Sequence, residues 1–349
     1  MEIIKEKFGL NEEKKEIYKY TVTGENICAS FCETGAAIMC VKVAGSDNVI
    51  RDVVLGLEGY EDYRRNWPSF GAVIGRYANR ISKARFKLND KKFVLKKNIK
   101  GGCLHSGFSY HYRDWKSESF VDETGAHIIF YLNSEDGDQG FPGNLKIKVE
   151  YVVSEEKSLC IRYQYVSDAD TIVNLTNHCY FNLDGHESGS IMNQKVQINS
   201  TQVTSVDKKL MPTGEIVNVE GSAFDFTKLT TINDNLSKSF KPIAPQNEYD
   251  INYVISDKLG EYKLAVLLEA EHSGIGMKVY TNMPGMQFYT GNAVNGYRGK
   301  GGVKYSDNPG VCFETQFYPD AVNIKKFPSP IIKADTIINT ETKYEFYVI

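Results

Sequence analysis

The chain has 349 residues, enough to bury a large core, and its 42% hydrophobic and 24% charged residues place it among soluble globular proteins. A formal net charge of −3 gives no electrostatic case for binding nucleic acid or an anionic membrane. Seven cysteines without a CxxC pair suggest free thiols in a reducing compartment; with no apolar run of 18 residues and no basic-then-apolar leader, a cytoplasmic protein is expected.

Taken in order, the predicted elements are mostly strands. Residues 38–43 form an apolar run after the Thr34-Gly35-Ala36 turn, and 52–57 lead into a charged, aromatic segment, 58–67, that reads as a short helix or loop. Over 145–151 the alternation is clean: Leu145, Ile147, Val149 and Tyr151 face one way, Lys146, Lys148 and Glu150 the other. Leu159, Ile161, Tyr163 and Tyr165 repeat it, as do Val196, Ile198 and Val203, then Leu264, Val266 and Leu268, then Met277, Val279 and Thr281. Turn residues separate these runs at short intervals. The best helix candidate is 232–240, capped by Thr231 or Asn233. No internal repeat or linker appears. The fold class that follows is all-β and mostly antiparallel, a large sandwich.

Residues 174–183, Asn-Leu-Thr-Asn-His-Cys-Tyr-Phe-Asn-Leu, stand out. As a strand they would put Asn174, Thr176, His178, Tyr180 and Asn182 on one face and Leu175, Cys179, Phe181 and Leu183 on the other, with Asn177 the exception. Such a polar ladder suits a polyhydroxylated ligand; an ordinary half-wet strand reads equally well.

Other segments carry chemistry. Arg76, Asn79 and Arg80 crowd 75–81, where a guanidinium fork and an amide could hold vicinal hydroxyls or simply sit on a surface turn. His105 is flanked by Gly101, Gly102 and Gly107, which allow close approach of backbone to a ligand. Asp250 lies among aromatics, and Gln287 shares a predicted face with Tyr289. Glu314 falls in an apolar strand, sharing its face with Cys312 and Gln316. A carboxylate there is costly unless paired or used, and partial burial raises its proton affinity, as a general base requires. The Gly299-Lys300-Gly301-Gly302 run lacks P-loop spacing, and no dinucleotide fingerprint or GxSxG occurs. The six histidines form no ligand set of standard spacing, so no metal is expected.

Taken together, Gly-Arg-Tyr-Ala-Asn-Arg-Ile (75–81), Leu-His-Ser-Gly (104–107), Gly-Phe-Pro-Gly-Asn (140–144), Asn-His-Cys-Tyr-Phe-Asn-Leu (177–183), Pro-Thr-Gly-Glu (212–215), Phe-Asp-Phe (224–226), Tyr-Asp-Ile-Asn-Tyr (249–253) and Glu-Thr-Gln-Phe-Tyr-Pro-Asp-Ala-Val-Asn (314–323) resemble the aldose 1-epimerase (galactose mutarotase) family. The resemblance implies one β-supersandwich domain over 1–349 with a sugar cleft, Glu314 as general base and His178 as general acid. It implies sugar contacts from Asn79, Arg80, Asp250 and Gln287, with His105 near the reacting end; Tyr180, from the polar row, joins them as an expected contact. Two departures stand out: Ser106 replaces a usual glycine, and Ile251 a frequent histidine. The implied reaction interconverts α and β anomers of a free aldohexose by ring opening, with Glu314 ionised and His178 protonated, the imidazolium favoured by a neighbouring carboxylate. It involves no redox step and no cofactor. The partner is a monosaccharide, with no nucleic acid or membrane, on a monomer or homodimer. Alternatives are a hexose-6-phosphate epimerase, with Arg76 or Arg113 holding the phosphate, and a non-catalytic carbohydrate-binding protein. A lyase or hydrolase is a weaker reading.

Overall fold

Alternating apolar side chains build three large antiparallel sheets in the computed structural model, which describes residues 1–349. Leu145, Ile147, Val149 and Tyr151 are buried as their spacing predicts, and so are Leu159, Ile161, Tyr163 and Tyr165. Their strands, Leu145–Ser154 and Ser158–Ser167, lie within a nine-stranded sheet. The last strand, Ile338–Val348, is inserted between Ser158–Ser167 and Ile275–Thr281, so the end of the chain joins the two halves of that sheet. A five-stranded sheet running from Glu2–Leu10 to Ile50–Asp52 packs against it, with Phe31 stacked on Tyr151 at 4.8 Å.

The second five-stranded sheet positions the site. Its order is Pro212–Asn218, Gln202–Val206, Asp250–Val254, Gly285–Tyr289, Cys312–Gln316. On one face Ile251, Phe288 and Phe313 lie side by side across the last three strands and enter the main core. Burying each aromatic ring contributes about 1.5–3 kcal/mol. A one-residue slip would exchange those rings for the opposite face, so the register is firmly fixed. That opposite face carries two cross-strand rows, Asp250–Tyr289–Cys312 and Asn252–Gln287–Glu314.

Two expected elements differ. Within 174–183 only Thr176–Asn177 is a strand, paired with Val73–Ile74; Asn174 and Phe181 make isolated bridges. Its polar row is buried, not wet. The Asn174 side chain donates to the carbonyls of Ala78 and Phe317 and accepts from the Phe317 amide; Asn182 donates to the carbonyls of Gly189 and Pro309. These amides satisfy loop backbone that no neighbouring strand reaches. The expected 232–240 helix is one turn, Ile232–Asn235, capped by Thr231, whose hydroxyl accepts from the Asp234 amide. Asn and Asp in its interior are poor helix formers. No helix is long and apolar enough to cross a membrane.

Candidate active site

A cavity of about 390 Å³ opens beside the second five-stranded sheet. Seven of the eight expected site residues line it: Asn79, Arg80, His105, His178, Tyr180, Asp250 and Glu314. Gln287 does not. Its Nε2 donates to Asp250 Oδ1 at 2.5 Å. The other Asp250 oxygen accepts from Arg80 Nη2 at 2.9 Å. Both Asp250 oxygens are thereby held, one by Gln287 and one by Arg80.

The loop bearing Asn79 is tied to the loop bearing His105. The Asn79 amide donates to His105 Nδ1 at 3.1 Å, and the Asn79 carbonyl accepts from the His105 amide at 3.0 Å. His105, Ser106 and Phe108 all have positive φ (49°, 53° and 60°), a conformation that costs a non-glycine residue roughly 1–2 kcal/mol. Ser106, the departure from the family pattern, helps to hold it: its hydroxyl accepts from the Tyr77 amide at 2.7 Å and donates to the Tyr77 carbonyl at 3.0 Å. Ile251, the other departure, is fully buried on the core face and turned away from the cavity.

Tyr180 lines the cavity with its hydroxyl already engaged. Its OH donates to the Pro68 carbonyl at 2.9 Å, and its ring stacks on His178 at 4.9 Å. His178 Nε2 then lies 3.8 Å from Glu314 Oε1, with both side chains less than 9% exposed. Glu314 Oε2 is buried with no protein partner.

The resting proton sits where the sequence reading did not put it. Burial, reinforced by the Asp250 charge, pushes the Glu314 carboxyl up to about 8. Burial pushes His178 down to about 4, outweighing the charge of the nearby carboxylate Asp250, which favours the imidazolium. Near pH 7 the pair therefore holds one proton, on Glu314. Burial, with the His178 and Arg80 charges, also holds His105 well below its ordinary value.

His105, His178 and Glu314 approach one another within 4.8 Å, close enough to suggest a metal site. The donor set does not fit one. The Asn79 amide occupies the Nδ1 lone pair of His105, so in the neutral ring Nε2 carries hydrogen and has no lone pair for a metal.

Several lining residues escaped the sequence reading. Trp67 is half exposed at the mouth, between Phe108 and Tyr297, with ring centroids at 6.5 and 6.4 Å. Glu248 and Leu210 line the same cavity. Nothing in the charged 58–67 segment marks Trp67 as a cleft residue; Glu248 lies two positions before Asp250, the one available hint.

Residues 18–345 match the family model described as aldose 1-epimerase. The chain belongs to the aldose 1-epimerase family. Relatives in this family include galactose mutarotase of Mus musculus, 34% identical over 334 residues (95% of this chain, 94% of the relative), and aldose 1-epimerase of Escherichia coli, 32% identical over 318 residues (89% and 90%). A solved aldose epimerase homologue from C. elegans superposes with a TM-score of 0.85 at 25% identity, covering 94% of this chain and 98% of its own. Galactose 1-epimerase from Lactobacillus acidophilus does so at 0.86 and 24% identity over 99% of each chain, which speaks to the fold. The three-sheet architecture is thus the galactose mutarotase-like β-supersandwich of aldose 1-epimerases.

Proposed function

We propose that this protein interconverts the α and β anomers of a free aldohexose, galactose or glucose, by acid–base opening and closing of the pyranose ring. The observation that carries this reading is the buried pair His178 Nε2 and Glu314 Oε1, 3.8 Å apart in one sugar-sized cavity. The relatives named galactose mutarotase support galactose as the substrate. In opening, the Glu314 carboxylate removes the C1 hydroxyl proton while the His178 imidazolium protonates the ring oxygen. The C1–O5 bond breaks, giving the open-chain aldehyde, a protonated Glu314 and a neutral His178. Rotation about C1–C2 turns the other face of the carbonyl, and closure returns both protons. The resting state, proton on Glu314, is the state that follows ring opening, so the pair alternates between two arrangements of a single proton. Sugar binding must favour the ion pair for opening to begin. Arg80, Asp250 and Asn79 grip hydroxyls, and His105 presents Nε2–H to the reacting end.

Polarimetry on freshly dissolved α-galactose and α-glucose tests the reading. A rate of optical change no faster than buffer would refute it. Because the pair needs one proton, kcat/KM, which follows the ligand-free protein, should be bell-shaped in pH. Below about 4 His178 gains a second proton and no base remains; above about 8 Glu314 loses the only one. Removing the charge of Asp250 by Asp250→Asn strips Arg80 of its partner and the sugar of an acceptor. KM is expected to rise about tenfold or more, the equivalent of about 1.4 kcal/mol, in steady-state polarimetry.

A phosphorylated substrate is not favoured. Arg76 is fully buried and donates to the carbonyls of Pro142, Gly143, Ser134 and Glu135, while Arg113 is paired with Asp138. The cation lining the cavity, Arg80, is already paired with Asp250, and Glu248 adds negative charge. A pure sugar binder would need no matched proton donor and acceptor. We further propose that residues 1–349 form one domain, on a main core that draws side chains from Tyr20 to Phe346. A cytoplasmic location is supported by seven free cysteines.

A further inference from the structure

Cys312 and Glu314 are two residues apart on the strand Cys312–Gln316, so their side chains leave the same face. Together they flank one imidazole. Glu314 Oε1 lies 3.8 Å from His178 Nε2, and Cys312 Sγ lies 3.6 Å from His178 Nδ1. That nitrogen is the sole hydrogen-bonding partner of the Cys312 thiol, and the residue is fully buried. Tyr180 covers one face of the ring at 4.9 Å and His105 packs edge-on at 5.5 Å, so the ring is held on several sides.

We propose that Cys312 is a positioning residue that keeps neutral His178 in its Nδ1–H form and so presents the Nε2 lone pair to Glu314. This rests on the acid–base reading above, in which His178 must take up and release a proton at Nε2. A neutral Nε2–H ring could do neither step with Glu314. With the sulfur beside Nδ1, that nitrogen has an acceptor for its hydrogen.

The chemistry of sulfur explains why a thiol suits this place. Burial keeps Cys312 protonated. A thiol is a weak donor, so its S–H can remain unpaired at little cost, while the sulfur accepts weakly from Nδ1–H. A serine hydroxyl in the same apolar position could not stay unpaired so cheaply. Its nearest acceptor would be Nδ1, and by donating there it would move the ring hydrogen to Nε2. His105 is fixed the opposite way by the Asn79 amide, so the two histidines divide the work: His105 gives a hydrogen bond and His178 carries a proton.

The test is ¹⁵N NMR of the histidines in the full-length protein near pH 6, with kinetics of Cys312→Ser and Cys312→Ala. The wild-type spectrum should show His178 protonated at Nδ1 and His105 at Nε2. C312S should shift His178 to the Nε2–H form and lower kcat by about tenfold or more, with KM within about twofold. C312A should retain more activity than C312S. A role in packing alone predicts the reverse order, because alanine leaves the larger void. A wild-type His178 protonated at Nε2, or a C312S enzyme at least as fast as C312A, overturns the proposal. The wild-type spectrum decides even if neither variant folds. It also separates the two readings: an Nδ1–H His178 in a protein that does not accelerate anomer exchange would sink the proposed function and leave the tautomer assignment standing.

Discussion

Glu314→Gln is expected to reduce kcat for anomer exchange by about 10³-fold or more while leaving the protein at least as stable as before. The amide has the size of the carboxyl but cannot take the C1 hydroxyl proton, so opening loses its base and closure its acid. The stability forecast separates this chemical effect from unfolding. The Glu314 carboxyl is raised from about 4.5 when free to about 8 in the fold. A raised carboxyl supports the fold fully below its unfolded value, and that contribution is lost as pH climbs through its folded one. At pH 7.5 the wild type therefore carries a penalty that glutamine does not, and E314Q should melt at the same temperature or higher. At pH 4 the difference should disappear. Polarimetry with thermal unfolding at the two pH values checks both parts. Activity within tenfold of wild type would remove Glu314 from the reaction. A large fall in melting temperature would make it a structural residue. Such a gain in stability from removing a buried ionisable group is the usual accompaniment of a site kept for function.

Alternation told which side of a strand a residue occupies, but not what covers that side. For 145–151 and 159–165 the distinction did not matter, because a dry face in an antiparallel sheet meets the core. For Glu314 it worked because a carboxyl between Val311, Phe313 and Thr315 could hardly be an ordinary surface group. It failed for 174–183. There the polar row meets neither water nor ligand along most of its length, and Asn174 and Asn182 are spent on loop carbonyls, three of the four far away in sequence. Gln287 shows the same limit at closer range. Its face was legible, yet its amide is taken up by Asp250, one strand away, and it is not among the residues lining the cavity. Trp67 and Glu248 reach the mouth only because loops from separate parts of the chain converge there, a product of tertiary closure with no local pattern. The proton's location was hidden for a related reason. It depends on how completely both groups are withdrawn from water, which the neighbouring carboxylate alone does not reveal.

His178→Asn tests the other half of the pair and should change the sign of the pH response as well as the rate. Loss of the proton donor is expected to lower kcat by about 10²–10⁴-fold. Asparagine approximates the near half of the ring and can still hydrogen-bond, so the cavity should persist. The carboxyl of Glu314 is raised by burial and by Asp250, against Arg80, and all of these remain in the variant, so it should still titrate well above the ordinary carboxylate range. Its protonated form has no partner able to take up the proton and is idle, so the residual reaction must use the ionised carboxylate with water as donor. The wild type, which needs one proton on the pair, slows as pH rises through about 8. H178N should instead speed up over that interval and lose the acid limb near 4 that belongs to the imidazole. Rates measured by polarimetry from pH 4 to 9.5, corrected for buffer catalysis, distinguish the two profiles. If the variant keeps a bell with both limbs, the proton donor is another group, and His105, whose Nε2–H faces the same cavity, becomes the residue to replace.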